Sequence, residues 1–217
     1  MNASGGIFDG ADDITITNRH ILVTGCRIQL IDKILPIPGG REFVELLQER
    51  TSKRSVYVTG IPYVRALCCT FMRTTNVELD LWPVLARVQG PGVYGFPVLK
   101  ERLEQAMLPE HFGRSLADGI WDYAANWNRP HYRPNADHIN SEVFFEAKDG
   151  YVGLAPTGAK AGDTLCILQG CSHPMLLRTV DDHEIVVGPC FVLGLMDGEA
   201  KAIIERGDSK IEVFELH

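Results

Sequence analysis

The side chains best suited to chemistry lie in the middle of the chain, within a dense group of aromatic residues. All three tryptophans fall between positions 82 and 127, with tyrosines and phenylalanines among them. Such a group either builds a second small core under long loops or lines an apolar pocket with a few polar groups at its rim. Both interpretations remain open. In the pocket interpretation, the residues expected to bind an apolar small-molecule substrate are Trp82, Tyr94, Phe96, Trp121 and Trp127.

Three polar residues beside this aromatic group are the candidates for proton transfer. His131 and Tyr132 lie in the polar segment 128–140, which its prolines mark as a loop, and Asp122 precedes it. Imidazole, phenol and carboxylate groups serve as general acids and bases in enzymes. We therefore predict Asp122, His131 and Tyr132 as the catalytic residues of the pocket hypothesis. The alternative for His131 is an ordinary exposed loop histidine.

The glycine-rich segment 150–178 has the composition of a phosphate-binding loop but not its spacing. A Walker A loop needs G-x4-G-K-[ST], and a dinucleotide fingerprint needs G-x-G-x-x-G before a helix. Gly150, Gly153, Gly158 and Gly162 follow neither pattern, and strand-like residues come after them. The pair Gly162-Asp163 instead predicts a tight turn that leads into a buried strand.

Signatures of a metal site or a nucleophile are also missing from the sequence. Asp197 and Glu199 flank a glycine, but without the alternation of an EF-hand loop they predict a turn before a helix. The C-x4-C spacing of Cys166 and Cys171 has no equivalent second pair, and there is no G-x-S-x-G. We expect no metal and no cofactor, and reduced, buried thiols at the six cysteines.

The charge and hydropathy of the chain limit the kinds of partner and the location that we expect for it. The 217 residues carry a formal net charge of −7, which disfavours binding to nucleic acid or to an anionic membrane surface. No apolar run approaches the roughly 20 residues that a membrane-spanning helix needs. The first residues have neither the basic nor the apolar region of a secretory signal, so a cytoplasmic protein is expected.

The arrangement of the elements predicts an α+β fold. We expect a disordered tail over 1–13 and a single domain over 14–217, in which a helical and aromatic middle (41–140) is inserted before a β-rich half (141–217). In that half, short apolar runs recur about every 8–12 residues with turn signals between them. This spacing predicts a small antiparallel β-barrel or sandwich.

Three strings in the β-rich half carry a family resemblance: 150-GYVGLAP-156, 162-GDTLCILQGCSHPMLLR-178 and 187-VGPCFVLGLMDGEA-200. They resemble the C-terminal region of fungal heterokaryon-incompatibility (HET-domain) proteins, with weaker similarity over 22–34 and 57–72. The chain departs from the family pattern at Ala155, often glycine, and at Leu193, often histidine. The TIR-like domain that precedes this region in the family is not expected here. The resemblance implies a fungal source and a β-rich fold, and it brings no catalytic residue with it.

Two hypotheses for the function follow. The first is a cofactor-independent cyclase or isomerase, of the pericyclase or Diels-Alderase kind, acting on a fungal secondary-metabolite intermediate such as a terpenoid or polyketide. An apolar pocket can accelerate such a reaction by orientation and a few hydrogen bonds. The alternative is a noncatalytic, HET-related recognition or regulatory module in fungal nonself recognition. A module of that kind should expose an apolar patch or form a homodimer.

Overall fold

The computed structural model describes residues 2–8, 14–16, 20–37, 46, 49–50, 53–54, 56–76 and 142–217. The chain divides into two compact units, residues 1–36 with 141–217 and residues 37–140. A single domain over 14–217 stays a prediction. The elements of the described residues, in chain order, are β1 (Thr15–Ile16), β2 (Ile21–Pro36), α1 (Tyr63–Met72), β3 (Glu142–Ala147), β4 (Val152–Pro156), β5 (Thr164–Leu168), β6 (Met175–Val180), β7 (His183–Pro189), β8 (Phe191–Val192), α2 (Ala200–Glu205) and β9 (Ile211–Leu216).

Strand β2 organises the first unit because it pairs with four other strands along its 16 residues, including the short β1 at its start. Its first part pairs with β9, its middle with β5 and its last part with β3, all antiparallel. The register shifts between Arg27 and Gln29 against β5, and between Ile31 and Lys33 against β3. Irregularities of this kind bend a strand and increase its twist. They let β2 leave one sheet and enter another.

A closed five-stranded barrel is the centre of the unit. The strands follow the order β2-β5-β6-β7-β9, and β9 returns to β2. Every pairing is antiparallel except that of β7 with β9, which is parallel and consists of the single pair Glu184 and Leu216. Of the predicted barrel or sandwich, the barrel is confirmed, but β2 comes from outside the β-rich half and one contact is parallel. The second part of β2 continues into a small sheet of the order β2-β3-β4-β8.

Strand β5 lies between two apolar clusters, which explains why all five of its residues are buried. Cys166 and Leu168 face the cluster inside the barrel, whereas Leu165 and Ile167 face the cluster outside the barrel wall. A strand buried on both faces reads as a continuous apolar run rather than an alternating one. The other buried members of the inner cluster are Val23, Leu177, Phe214 and Leu216, and the outer cluster includes Cys26, Ile28, Phe145, Leu176 and Ile203.

The first residues pack against the barrel unit, which corrects the expectation of a disordered tail for residues 2–8. The Asn2 N–H donates to the Met196 carbonyl at 2.9 Å, and Ala3 N–H donates to the Ser172 carbonyl at 3.2 Å. Ala3 and Phe8 are buried. The small, polar composition of this segment does not predict these contacts, because backbone groups form the hydrogen bonds. Residues 9–13 lie outside the described part of the chain.

Helices are few and short among the described residues, and the predicted helical insertion over the middle of the chain stays a prediction. In the second unit, α1 buries Tyr63, Ala66, Leu67 and Thr70, the helical spacing expected from the sequence. Pro62 directly precedes the helix, and Arg73 ends it in a left-handed conformation. None of the described helices is long and apolar enough to cross a membrane.

A substitution at Gly25 tests the close packing of β2 on β5. A Cβ atom at Gly25 would lie 2.7 Å from the Ile167 carbonyl oxygen and 2.9 Å from a ring carbon of Phe214. We expect Gly25→Ala to lower the free energy of unfolding by about 2 kcal/mol, the usual effect of overpacking a core. The measurement is urea unfolding followed by circular dichroism.

Gly158→Ala is the matched control because a Cβ atom there meets nothing within 4 Å. We expect it to change the free energy of unfolding by less than about 0.5 kcal/mol. Equal stability of the two variants would contradict the close approach of β2, β5 and β9 at Gly25.

Candidate functional site

The residues predicted for the aromatic pocket lie outside the described part of the chain. The same holds for the three predicted catalytic residues. The pocket and its chemistry therefore stay predictions, and the described residues neither support nor contradict them. The residues concerned are Trp82, Tyr94, Phe96, Trp121, Asp122, Trp127, His131 and Tyr132.

The glycine-rich segment is held by an ion pair between Asp163 and Arg178. The Arg178 guanidinium donates to both carboxylate oxygens of Asp163, at 2.7 and 2.9 Å, and to the Gly158 carbonyl at 2.8 Å. The Lys160 N–H donates to the same carboxylate at 2.7 Å. The Asp163 side chain is only 2% exposed, so its charge needs these partners. This arrangement fixes the turn before β5, and Gly162 adopts the positive φ of +93° that the tight turn requires.

Two other glycines, Gly153 in the glycine-rich segment and Gly198 after it, allow close backbone contact. A Cβ atom at Gly153 would lie 2.5 Å from the Phe145 ring and from the Phe191 carbonyl oxygen. Gly198 packs against Gly5, where a Cβ atom would lie 2.5 Å from the Gly198 Cα. Both glycines therefore allow close packing, although Gly153 lies within β4 and not at a sheet corner.

Asp197 and Glu199 form a turn before a helix, as predicted. The Glu199 carboxylate accepts a hydrogen bond from the Asp197 N–H at 2.7 Å, and α2 begins at Ala200. Glu199 thus precedes the first helical residue instead of lying in the first turn. Its carboxylate stabilises the turn by accepting the Asp197 N–H hydrogen bond.

Arg27 connects the two strands that barely pair at the barrel closure. Its guanidinium donates to Glu184 on β7 at 2.8 Å and forms an ion pair with Glu212 on β9 at 2.9 Å. It also lies 4.8 Å from the centre of the Phe214 ring, within the range of a cation–π contact. The buried Glu184 carboxylate accepts a further bond from the Thr179 hydroxyl at 3.1 Å. Side chains thus bridge β7 and β9 where only one residue pair joins their backbones.

The comparisons with known proteins agree with this geometry. Residues 124–211 match the Het-6 beta-barrel domain. The match confirms the HET-related character of the C-terminal region, and the structure describes residues 142–211 of it. The chain has no significant match among curated proteins or solved structures.

The residues that carry the HET resemblance stabilise this Het-6 barrel. Asp163 belongs to the GD pair and Arg178 to the LR pair of the quoted strings, and the two form the buried ion pair. Gly153 within β4 and Gly198 before α2 allow close contacts with Phe145 and Gly5, respectively. These residues of the strings therefore have a structural role in the fold of the barrel.

One polar cluster of the barrel, outside the matched residues 124–211, was not predicted from the sequence. His20, His217 and Glu215 meet where β2 begins and β9 ends. The Glu215 carboxylate lies 3.0 Å from His217 Nε2 and 3.5 Å from His20 Nδ1. The His217 ring also lies near His183, with 4.4 Å between the ring centres. The hydrogen bond from His217 and the charge of His20 lower the pKa of Glu215.

No local signal could have indicated this cluster, which we call the rim cluster and define as His20, Glu215 and His217. His20 is almost two hundred positions from Glu215 and His217 in the sequence. They meet because Ile21 pairs with Leu216 in the β2–β9 ladder. His217 also donates its backbone N–H to the Glu184 carbonyl at 2.9 Å, which brings the end of β9 to β7.

The cysteines with described side chains are free thiols, as expected. Cys26, Cys69, Cys166 and Cys190 are buried, and Cys171 is partly buried. Burial raises the pKa of each of these thiols above its ordinary value. They therefore stay protonated at neutral pH and are poor nucleophiles.

Removal of the Arg178 cation tests the ion pair of the glycine-rich segment. Arg178→Met leaves the buried Asp163 carboxylate with the Lys160 N–H, and we expect a loss of about 2–3 kcal/mol in the free energy of unfolding. Arg206→Met is the control, because the Arg206–Asp208 pair has a similar distance of 2.8 Å but is largely exposed. We expect this control to lose less than about 1 kcal/mol. Equal losses in urea unfolding would contradict a special role for the buried pair.

Alkylation tests the state of the thiols. At pH 8 the folded protein should react with iodoacetamide at Cys171 before Cys166 and Cys190, because burial and the raised pKa protect the latter two. Peptide mass spectrometry of folded and unfolded samples measures the modified fraction of each cysteine. Equal labelling of Cys166 and Cys171 in the folded protein would show that the barrel interior is open to the reagent.

Proposed function

We propose that the chain acts as a noncatalytic HET-related recognition module, which binds a partner protein in fungal nonself recognition. The match of residues 124–211 to the Het-6 beta-barrel domain is the observation that carries this proposal. The cyclase hypothesis depends on residues outside the described part of the chain. It remains a prediction from the sequence, and the proposal does not rest on it.

The use of the shared residues supports a scaffold role. Charged residues in the strings that resemble the HET family stabilise turns and strands. The ion pair between Asp163 and Arg178 is an example. Arg27 and Glu184 are likewise paired with each other, with the Glu184 carboxylate buried and the Arg27 side chain partly exposed. A barrel stabilised in this way presents a rigid surface, and rigid surfaces limit the entropy lost on binding.

The outer face of β9 supplies a surface suited to protein contact. Val213 is 66% exposed and Ile211 is 48% exposed, whereas Phe214, which points into the barrel, is 2% exposed. Strand β9 pairs with β2 along its whole length but with β7 at one residue pair only, among the described strands. Exposed apolar side chains beside a partly open sheet edge favour contact with an apolar segment of a partner.

The proposal can be tested by gene deletion and complementation in a filamentous fungus whose strains differ in compatibility. The test variant introduces a charged residue on the outer face of β9. We expect deletion of the gene to change the incompatibility reaction with tester strains, and the wild-type gene to restore it. Val213→Asp should fail to restore the reaction, because an aspartate disfavours apolar contact. Growth of the mixed mycelium at the contact zone is the measurement.

Lys201→Asp is the matched control, since it introduces the same residue at an exposed position of α2. We expect it to restore the reaction fully. Thermal unfolding of the two purified variants must differ by less than a few degrees, so that a loss of function in Val213→Asp reflects the surface. A deletion strain that retains the wild-type reaction would refute the proposed function.

A further inference from the structure

We infer that His20, Glu215 and His217 bind a divalent transition-metal ion of the zinc class at the end of the barrel. This site goes beyond the proposed recognition function and does not depend on it. It also departs from the expectation, drawn from the sequence alone, that the protein binds no metal. The rim cluster is a group of metal-binding side chains brought together by the fold.

The donor atoms already have the spacing of metal ligands. Zinc holds imidazole nitrogen and carboxylate oxygen at about 2.0–2.2 Å, so two ligands of a tetrahedral site lie about 3.3–3.5 Å apart. Glu215 Oε1 lies 3.0 Å from His217 Nε2 and 3.5 Å from His20 Nδ1. All three donor atoms lie within 4.8 Å of one another. Small rotations of side chains are sufficient to place the three donors around one ion.

The ligand types favour zinc and its neighbours over magnesium or calcium. Two imidazoles and one carboxylate suit Zn²⁺, Co²⁺ and Ni²⁺, whereas the hard ions Mg²⁺ and Ca²⁺ prefer oxygen ligands alone. Three protein ligands leave a fourth position of a tetrahedral ion for water or for another donor. The side chains of His20, Glu215 and His217 are 30%, 50% and 34% exposed, so an ion can reach them from solvent.

Neighbouring contacts hold two of the ligands in place. The His217 ring lies against the His183 ring, and its backbone N–H is bonded to the Glu184 carbonyl. The start of β2 holds His20 beside the end of β9 through the pair Ile21 and Leu216. Groups that orient a ligand in this way raise the affinity of a metal site. His183 is thus a positioning residue, at whose Nδ1 the Asp182 carboxylate lies 3.4 Å away.

The position of the ion within the fold gives it a structural consequence. The rim cluster joins the beginning of β2 to the end of β9, directly beside the single residue pair that connects β9 with β7. An ion that binds the folded protein but not the unfolded chain stabilises the fold in proportion to its concentration relative to the dissociation constant. Bound metal should therefore strengthen the barrel closure.

Titration with Zn²⁺ tests the site directly. The full chain without a polyhistidine tag is stripped with EDTA, transferred into a chelator-free buffer containing a non-coordinating reductant, and titrated with ZnCl₂ by calorimetry. We expect one equivalent to bind with a dissociation constant in the micromolar range or below, and the midpoint of thermal unfolding to rise with Zn²⁺. His217→Ala and Glu215→Gln should each weaken this binding at least about tenfold.

His173→Ala is the matched control, because His173 is a partly exposed histidine of the same unit whose Nδ1 contacts the Ser172 hydroxyl. It should retain the affinity and the thermal shift of the wild type. Loading with Co²⁺ provides a second measurement, in which intense visible absorption indicates four-coordinate geometry and should disappear in His20→Gln. No binding by the wild type at about 100 µM Zn²⁺ would overturn the inference. Unchanged affinity in both His217→Ala and Glu215→Gln would also overturn it, because the ion would then bind elsewhere.

Discussion

The pairing of β2 with β9, β5 and β3 is the constraint on which the barrel unit depends. One strand of 16 residues forms ladders with β9, β5 and β3 in succession, and two register shifts turn it from the barrel into the small sheet. The same bend separates the two apolar clusters, so that β5 is buried on both faces. A straight β2 would have to give up one of its ladders, and with it one of the two cores. The backbone of β2 therefore determines where the strands that pair with it can lie.

Two arginines complete the structure where backbone hydrogen bonds are insufficient. Arg27 bridges β7 and β9, whose backbones pair at one position only, and Arg178 fixes the segment before β5 through Asp163. The planar guanidinium can serve several acceptors at once, which explains why arginine and not lysine is suited to both places. In each pair the carboxylate is almost fully buried and accepts additional hydrogen bonds, as a buried charge must to offset the cost of leaving water. The two arginines and their carboxylate partners therefore stabilise the fold.

Strand β9 contributes both to the core of the barrel and to its exposed surface. Its inner face supplies Phe214 and Leu216 to the core of the barrel, while its outer face exposes Val213 and Ile211. Its end carries Glu215 into the rim cluster, beside the contact with β7. The alternation of side chains along a strand is what allows these roles to coexist. Because the inner face is held by packing, the outer face is presented in a defined geometry.

Features that follow from local patterns could be predicted from the sequence. The spacing of short apolar runs predicted the strands of the β-rich half, Gly162-Asp163 predicted the turn, and the helical period predicted α1. These features depend on neighbours within a few residues, where side-chain period and turn chemistry act. The resemblance to the HET family could likewise be read from the strings, since the fold requires particular residues such as Gly153 at particular places.

The remaining features depended on the tertiary structure. The shared role of β2, the bond between Arg27 and Glu184 across 157 positions, and the packing of residues 2–8 all arise from strand registers between distant segments. The rim cluster is the clearest case, because His20 and His217 are unremarkable in their local sequence and become neighbours only through the β2–β9 ladder. Local periodicity specifies which face of a strand is buried, but it does not specify which distant strand lies beside it. The sequence by itself therefore determined the strands of the C-terminal half and its HET-related character, and the hydrogen-bonded register of the barrel decided which side chains meet.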